Sequence, residues 1–412
     1  MEQSDNMVSS NEGQFVGRRR LVALAVGVGV VLAGCADNAP QDIFEPKGSN
    51  ARKIDTLQME LFIISAIVGL LVFAAVGYAI WKYRDRGQDI PEQTHGNPKL
   101  EILLTIMPAI ILAVVAVPSI SAVFELDKKD NDCVINVTGQ QWWWEYDYVA
   151  GSKCGGVTID ESIVTSGELV IPAGTDVLLR ITSRDVIHSY WIPALNGKRD
   201  AVPGRLHTLR MQADNPGIYT GQCTEFCGLS HARMRQAAVA LNTADFQAWV
   251  DQQTAPYTAP AADTLAATGE ATFVAQCSRC HQVNDLSNAD GAPILAEPDL
   301  YVVSGAAPNL SHLMSRTAFA GWTFDLLTES CRTKLWNAPP DEFGALYLQG
   351  VTPDCFDEAA LREWLRNAPA MKPMYADPTK LAPTGGKTRG MPNLNLTEAQ
   401  IDELIAYLLE RK

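Results

Sequence analysis

Two apolar stretches, from about Met59 to Trp81 and from Ile102 to Phe124, restrict what this chain can fold into more than any other feature. The first holds no charge after Glu60 and the second holds none at all. Each reaches the roughly 20 residues with which a helix crosses a hydrocarbon core, satisfying its backbone polar groups within itself. The expectation is a transmembrane helical hairpin over residues 56–126. The competing reading, a pair of buried core helices in a soluble protein, would need two consecutive uncharged stretches of that length. Pro108 and Pro118 are tolerable in a span because neighbouring helices satisfy the freed carbonyls.

The residues before the hairpin read as an address. Arg18-Arg19-Arg20 precedes the apolar run Leu21–Leu32, too short to span a bilayer but proportioned like the core of a signal peptide. The run ends in Leu32-Ala33-Gly34-Cys35, which resembles the lipobox of bacterial lipoproteins, whose cysteine thiol is acylated. Ordinary secretory cleavage near Ala33–Ala36 is the alternative. Either way residues 1–34 form a signal peptide and residues 35–55 an extracytoplasmic N-terminal segment. Lys82, Arg84, Arg86 and Lys99 put the loop between the spans in the cytoplasm, and everything after about Leu126 outside a bacterial cell membrane.

At 412 residues the chain exceeds what one core organises, so two or three domains are expected. A formal charge of −14 argues against nucleic acid as a partner, since phosphate backbones recruit basic surfaces. An acidic face can steer a basic electron-carrier protein, or serve solubility alone.

From Cys133 to about Asn242 the pattern turns to short alternating segments, Val134–Val137, Glu168–Ile171, Val177–Ile181 and Gly217–Thr220, broken by Pro172-Ala-Gly174, Asn196-Gly197, Pro203-Gly204 and Asn215-Pro-Gly217. This predicts a β-sandwich or barrel over residues 127–252. Late in it, Cys223-Thr-Glu225-Phe-Cys227-Gly-Leu-Ser-His231-Ala-Arg-Met234 gathers two thiols, an imidazole and a thioether, while His188 sits on a separate upstream loop. Thiolate and thioether favour Cu(I) and imidazole suits both oxidation states. A weak methionine leaves a geometry between the two preferences, which limits rearrangement on electron transfer. Two cysteines at this spacing can each bridge two coppers, with one histidine serving each metal. A Cys2His2 zinc site would use the same strong ligands but leave Met234 without a role. A Cys223–Cys227 disulfide is a further alternative outside the cytoplasm.

The loop resembles the dinuclear CuA loop of cytochrome c oxidase subunit 2, and Asp185-Val-Ile-His188-Ser resembles its upstream histidine loop. Asp200-Ala-Val-Pro-Gly-Arg205, the aromatic Gly139-Gln-Gln-Trp142-Trp-Trp-Glu-Tyr-Asp-Tyr148 and Leu100-Glu101-Ile-Leu-Leu-Thr105-Ile-Met-Pro108 extend the resemblance over about Thr56 to Trp249. It implies a cupredoxin-like sandwich. Copper would be bridged by Cys223 and Cys227, with His188, His231, Met234 and the Glu225 carbonyl completing the shell. It also implies a magnesium ion against the Glu225 carboxylate at the interface with subunit 1, electrons arriving through a surface Trp142, and Glu101 near the mouth of a proton channel. Gln140 and Leu104 depart from the family's usual His and Trp, away from the copper shell.

Residues 253–268, rich in Ala, Thr and Pro, read as a flexible tether. Beyond it, Cys277-Ser-Arg-Cys280-His281 is the CxxCH signature of covalently attached haem. Residues 269–412 resemble an all-α class I cytochrome c, with His281 on the iron and Met391, in Met391-Pro before a terminal amphipathic helix, opposite it. Met374 is the runner-up, and the segments near Asp285–Gly305 and Tyr375–Arg389 depart from compact members. The remaining cysteines pair as Cys133–Cys154 and Cys331–Cys355, while His95, His207 and His312 have ordinary surface or core roles.

Together these features predict subunit 2 of a proton-pumping cytochrome c oxidase of the fused, caa type. Its haem c would pass electrons through CuA to subunit 1, with subunit 3, a cytochrome c or cytochrome bc-type donor, and membrane lipid as partners. The same hairpin and copper loop would suit a CuA-containing nitric oxide reductase. A stand-alone membrane electron shuttle is the non-enzymatic alternative.

Overall fold

The computed structural model describes residues 40–87, 95–286, 307–375 and 389–412; Cys35 and residues 1–34 lie outside this set. Helices α1 (Ser49–Lys82) and α2 (Pro98–Leu126) are both long and apolar enough to cross a membrane. Asn97 starts α2 by accepting from the Leu100 amide, with Pro98 in the first turn, where its missing N–H costs nothing. Side chains such as Phe73, 79% exposed, find no protein cover among the described residues and suit a lipid face.

Helix α1 starts earlier than its apolar run, inside the stretch 35–55 assigned to an N-terminal segment. Contacts with the domain that follows fix this start. Asn50 is buried and donates to the Arg210 carbonyl at 3.3 Å, the Ser49 amide donates to Gln212 Oε1 at 2.8 Å, and Arg52 pairs with Asp214. A Cβ at Gly48 would lie 2.1 Å from the Gln212 carbonyl oxygen, so only glycine permits this approach.

The next domain is a two-sheet β-sandwich. Its strands are β1 (Val134–Gln140), β2 (Trp143–Tyr148), β3 (Lys153–Cys154), β4 (Val157–Thr158), β5 (Ile163–Ser166), β6 (Glu168–Pro172), β7 (Val177–Ser183), β8 (His188–Tyr190), β9 (Arg199–Ala201), β10 (His207–Met211), β11 (Gly217–Gln222) and β12 (Arg235–Leu241). One sheet runs β10-β7-β1-β2-β5 and the other β11-β12-β6, while β3-β4 and β8-β9 form separate ladders. Alternation along β1 buries Ile135 and Val137 against Trp144, Tyr146, Leu169 and Leu179 from both sheets. The Tyr148 hydroxyl joins the sheets, donating to the Val170 carbonyl and accepting from its amide, each at 2.7 Å. Cys133 and Cys154 form a disulfide, as do Cys331 and Cys355.

Helix α3 (Thr243–Gln253) closes the sandwich, and the supposed tether is not free. The Arg411 guanidinium lies 4.6 Å over the Tyr257 ring and donates to the Thr258 carbonyl at 3.1 Å, pinning the segment to the C-terminus. Beyond it the chain is mainly helical: α4 (Leu265–Gln276), α5 (Glu329–Trp336), α6 (Pro340–Leu348), α7 (Glu358–Met371) and α8 (Glu398–Leu409). Helices α4 and α8 pack so closely that a Cβ at Gly269 would sit 1.9 Å from the Glu403 carbonyl oxygen. Phe273 packs tilted against Tyr407 beside this contact at 5.2 Å between centroids, and a Thr397–Gln400 capping box starts α8.

The segment before α5, together with α6, grips the sandwich through one carboxylate. Glu168, 1% exposed in β6, accepts from the Thr317 amide at 2.8 Å, the Thr317 hydroxyl, Trp322 Nε1 at 3.1 Å and the Tyr347 hydroxyl at 2.8 Å.

Candidate metal centre

Strands β11 and β12 pair up to Gln222↔Arg235, so the loop they enclose leaves and returns at one point, and the Cys223 amide donates to the Met234 carbonyl at 2.9 Å. His188 is not on a loop, as the sequence had implied; it opens the short strand β8, paired with Ala201 of β9. The Thr224 amide donates to the Ser189 carbonyl at 3.0 Å and fastens β8 to the cysteine loop. A Cβ at Gly139 would lie 2.9 Å from the His188 ring, so a glycine here leaves room for the imidazole.

The donor atoms converge. Cys223 and Cys227 are free thiols 3.8 Å apart, which removes the disulfide alternative. His188 Nδ1 is 3.9 Å from Cys223 Sγ, His231 Nδ1 is 3.5 Å from Cys227 Sγ, and Met234 Sδ is 3.8 Å from the same sulfur. The Glu225 carbonyl oxygen lies 3.3 Å from Cys223 Sγ, while its side chain is exposed. The neighbouring Cys227 thiol and His188 favour a Cys223 thiolate, and the same sulfur holds the Cys227 thiol protonated. Two adjacent thiolates repel, so a cation is needed to ionise both. Ligand atoms of His188, Cys223 and Cys227 all lie within 4.8 Å of one another, and His231 falls outside that group. A single zinc ion would leave the Met234 thioether and the Glu225 carbonyl without a role, whereas two metals with one histidine each use every donor. The donor set fits a dinuclear copper centre.

Partners outside the shell orient it. Asp185 Oδ1 sits 2.9 Å from His188 Nε2, leaving Nδ1 for the metal, and its Oδ2 accepts from the Gln141 amide at 2.9 Å. Burial opposes the charged forms of both, but their mutual hydrogen bond prevails, lowering the Asp185 pKa and raising that of His188. Gln141 Nε2 and Trp142 Nε1 both donate to the Cys227 carbonyl, at 2.6 and 3.1 Å. Sequence reasoning assigned no role to Asp185, Gln141 or Gly139, although all three lie in the quoted segments; side chains one residue from a motif carry no signal of their own. Asp185→Asn is expected to weaken copper binding by about 10–100-fold, as read by competition with a copper chelator; an unchanged affinity would show that the carboxylate does not orient His188.

The CxxCH segment sits where α4 ends. The Cys280 and His281 amides donate to the Cys277 carbonyl at 3.0 and 2.9 Å, and both thiols are free. His281 Nδ1 meets the Pro308 carbonyl at 2.8 Å, which fixes the ring and leaves Nε2 for a ligand. Burial pushes the Cys277 thiol up to about 12 and lowers the His281 pKa. Met374 lies against Gly390, where a Cβ would be 2.5 Å from its Sδ, so both candidate thioethers, Met374 and Met391, belong to one corner of the domain.

Comparison with known proteins matches two family descriptions: "Cytochrome C oxidase subunit II, periplasmic domain" over residues 133–241, and "Cytochrome C oxidase subunit II, transmembrane domain" over 41–122. Cytochrome c oxidase subunit 2 of Alkalihalophilus pseudofirmus is 35% identical over 288 residues, 68% of this chain and 81% of the relative. The chain belongs to the cytochrome c oxidase subunit 2 family. The Bacillus sp. PS3 subunit 2 is 31% identical over 80% of this chain and 79% of its own length. The periplasmic domain of the Bradyrhizobium japonicum subunit is 30% identical, covering 30% of this chain and 95% of that one, at a TM-score of 0.27. Membership makes the chain a membrane-anchored part of a haem–copper oxidase complex, with a periplasmic cupredoxin-like domain of the CuA type and subunit 1 as its partner.

One implied feature is corrected. Trp142 is not on the surface: it is 2% exposed, capped by Tyr375 and by Lys372, which donates to its carbonyl at 2.8 Å. Trp143 and Trp144 are buried as well. Glu101 lies in the first turn of α2, and Gly96 leaves space for its carboxylate. His207 meets the Asp200 carbonyl at 2.7 Å and His312 the Lys412 carbonyl at 2.8 Å, both through Nδ1, away from the cluster; His95 is exposed.

Proposed function

We propose that this subunit carries its own haem c and passes electrons from it, through the dinuclear copper centre, to an oxygen-reducing, proton-pumping subunit 1. The observation that carries the reading is that the part of the chain bearing Cys277, Cys280 and His281 also covers Trp142, which is bonded to the Cys227 carbonyl.

His188, His231, Cys223, Cys227, Met234 and the Glu225 carbonyl would hold copper. Bound there, it supplies one-electron exchange with little rearrangement. Cys277 and Cys280 would anchor haem through thioethers, and His281 and Met391 would hold its iron. The exposed Glu225 carboxylate is assigned to magnesium at the subunit 1 interface, Glu101 to the region of the proton channel, and Cys35 to lipidation. Both apolar helices are assigned to spans, with the copper and haem parts outside, and subunit 3 and a cytochrome c or cytochrome bc-type donor complete the partners. Attachment of the haem part to the same chain replaces bimolecular capture by an intramolecular encounter.

Haem staining after denaturing electrophoresis tests the reading: the full chain is expected to stain, and Cys277→Ser with Cys280→Ser to lose the stain while keeping copper. An unstained wild-type chain would refute it. Oxygen rather than nitric oxide consumption by the purified complex is expected, and the reverse result would make it a nitric oxide reductase.

A further inference from the structure

The cover over Trp142 is built from segments far apart in the chain. The Lys372 amine, 3% exposed as a residue, donates to the Trp142 and Ala320 carbonyls, both at 2.8 Å. Gly321 closes on the same carbonyl: a Cβ there would lie 2.3 Å from the Trp142 oxygen, and its φ of +69° is the glycine-favouring region. The Ser230 hydroxyl donates to the Pro373 carbonyl at 2.5 Å, and Arg233 to the Met371 carbonyl. These bonds hold residues 371–375 against the copper loop, and the Tyr375 ring lies 5.4 Å from that of Trp142 between centroids. On its other side Tyr375 accepts through its carbonyl from the Arg389 amide at 3.1 Å. Tyr375 therefore adjoins Met374 by peptide bond and the Met391 segment by hydrogen bond, whichever thioether serves the iron.

We propose that the Trp142–Tyr375 ring contact, with Lys372 as its clamp, is the crossing by which electrons pass from the haem-bearing segment to Cys227. This rests on the haem reading above. From Tyr375 the connection runs across one ring contact to Trp142, then through the Nε1 bond to the Cys227 carbonyl and along that residue to its sulfur. Each transfer moves one electron supplied by a reduced external one-electron carrier; the haem side is oxidised, the copper side is reduced, and no bond is made or broken. A polar route competes: Arg389 Nε lies 3.4 Å from Asp185, which bonds His188. That route ends on an imidazole serving one metal, whereas Cys227 is a bridging sulfur in the implied ligand set. Lys372 is a positioning residue, holding the indole by its backbone.

The test uses the assembled oxidase, with haem c and copper spectra recorded first and haem-to-copper electron transfer then timed after photoreduction of the haem. Tyr375→Ala, at a residue 47% exposed and so not needed for the core, is expected to slow transfer about tenfold or more, as loss of positioned contact does elsewhere, with both spectra unaltered. Tyr375→Phe, which keeps the ring, should restore most of the lost rate. Lys372→Met should also slow transfer, and in the metal-free chain the Arg235 amide, bonded to the Gly321 carbonyl at 3.0 Å, should exchange its hydrogen faster. An unchanged rate in Tyr375→Ala overturns the inference, as does slowing by Arg389→Gln in its place. Absence of a c-type spectrum in the unaltered chain refutes the haem reading itself, a separate and distinguishable failure.

Discussion

Cys227→Ser is expected to abolish the dinuclear copper signature and reduce oxidase turnover to background in the assembled complex. The sulfur of Cys227 lies within 3.5–3.8 Å of donor atoms of Cys223, His231 and Met234. A serine hydroxyl is a hard, weakly acidic donor, and it cannot replace the soft thiolate that neutralises two copper ions at once. The backbone around it is insulated from the change, because Gln141 and Trp142 bind the Cys227 carbonyl and not its side chain. Loss of copper would thus report the sulfur and not a collapsed loop. Met234→Leu, removing only a weak ligand, should keep the metal and shift its spectrum. Copper analysis with electron paramagnetic resonance checks both variants. A Cys227→Ser protein that retained a shared-electron copper pair would disprove the bridging role.

The parts of this molecule that were legible in the sequence are those whose physics is local. An uncharged stretch long enough for a bilayer and a Cys-x3-Cys-x3-His-x2-Met run between two strands each state their chemistry within a dozen or two residues. Cys133 and Cys154 could be matched because they flank one aromatic hairpin, and the hairpin brings them together. The covering of Trp142 could not be read this way, since Gly321, Lys372 and Tyr375 lie more than 170 residues along the chain. The tether failed for a related reason: its Ala/Thr/Pro composition signals weak local structure, while its order comes from Tyr257 meeting Arg411 at the far end. The early start of α1 came from Asn50 and Arg52 finding partners on β10 and just beyond it. The apolar count that located the span contains nothing about those polar residues.

Glu168 was the least legible of all, and its replacement carries the second large effect. In the run Glu168-Leu-Val-Ile nothing local marks the acidic residue at the strand start for burial. Here it is buried, with its two oxygens taking Thr317, Trp322 and Tyr347 from the helical part that follows the sandwich. Its charge also offsets the burial that pushes the nearby Arg316 guanidinium down to about 10. Glu168→Ala would leave those donors facing an unfilled space and remove the charge opposite Arg316, a loss of about 3–5 kcal/mol for a buried group stripped of its partner. Individual orphaned donors cost about 1–3 kcal/mol each, so their sum overstates the total to the extent that water enters and satisfies some of them. Glu168→Gln keeps the shape and one acceptor oxygen, and is expected to lose less than the alanine variant. Urea unfolding of the full chain measures the difference, and hydrogen exchange at the Thr317 amide locates it. The exchange should rise in Glu168→Ala well before the sandwich itself opens, because Tyr148, Trp144 and the paired strands β6 and β12 do not depend on the carboxylate. Equal unfolding midpoints for wild type and Glu168→Ala would mean that the two parts of the chain are held together elsewhere, by the Lys372 and Ser230 contacts beside the copper loop.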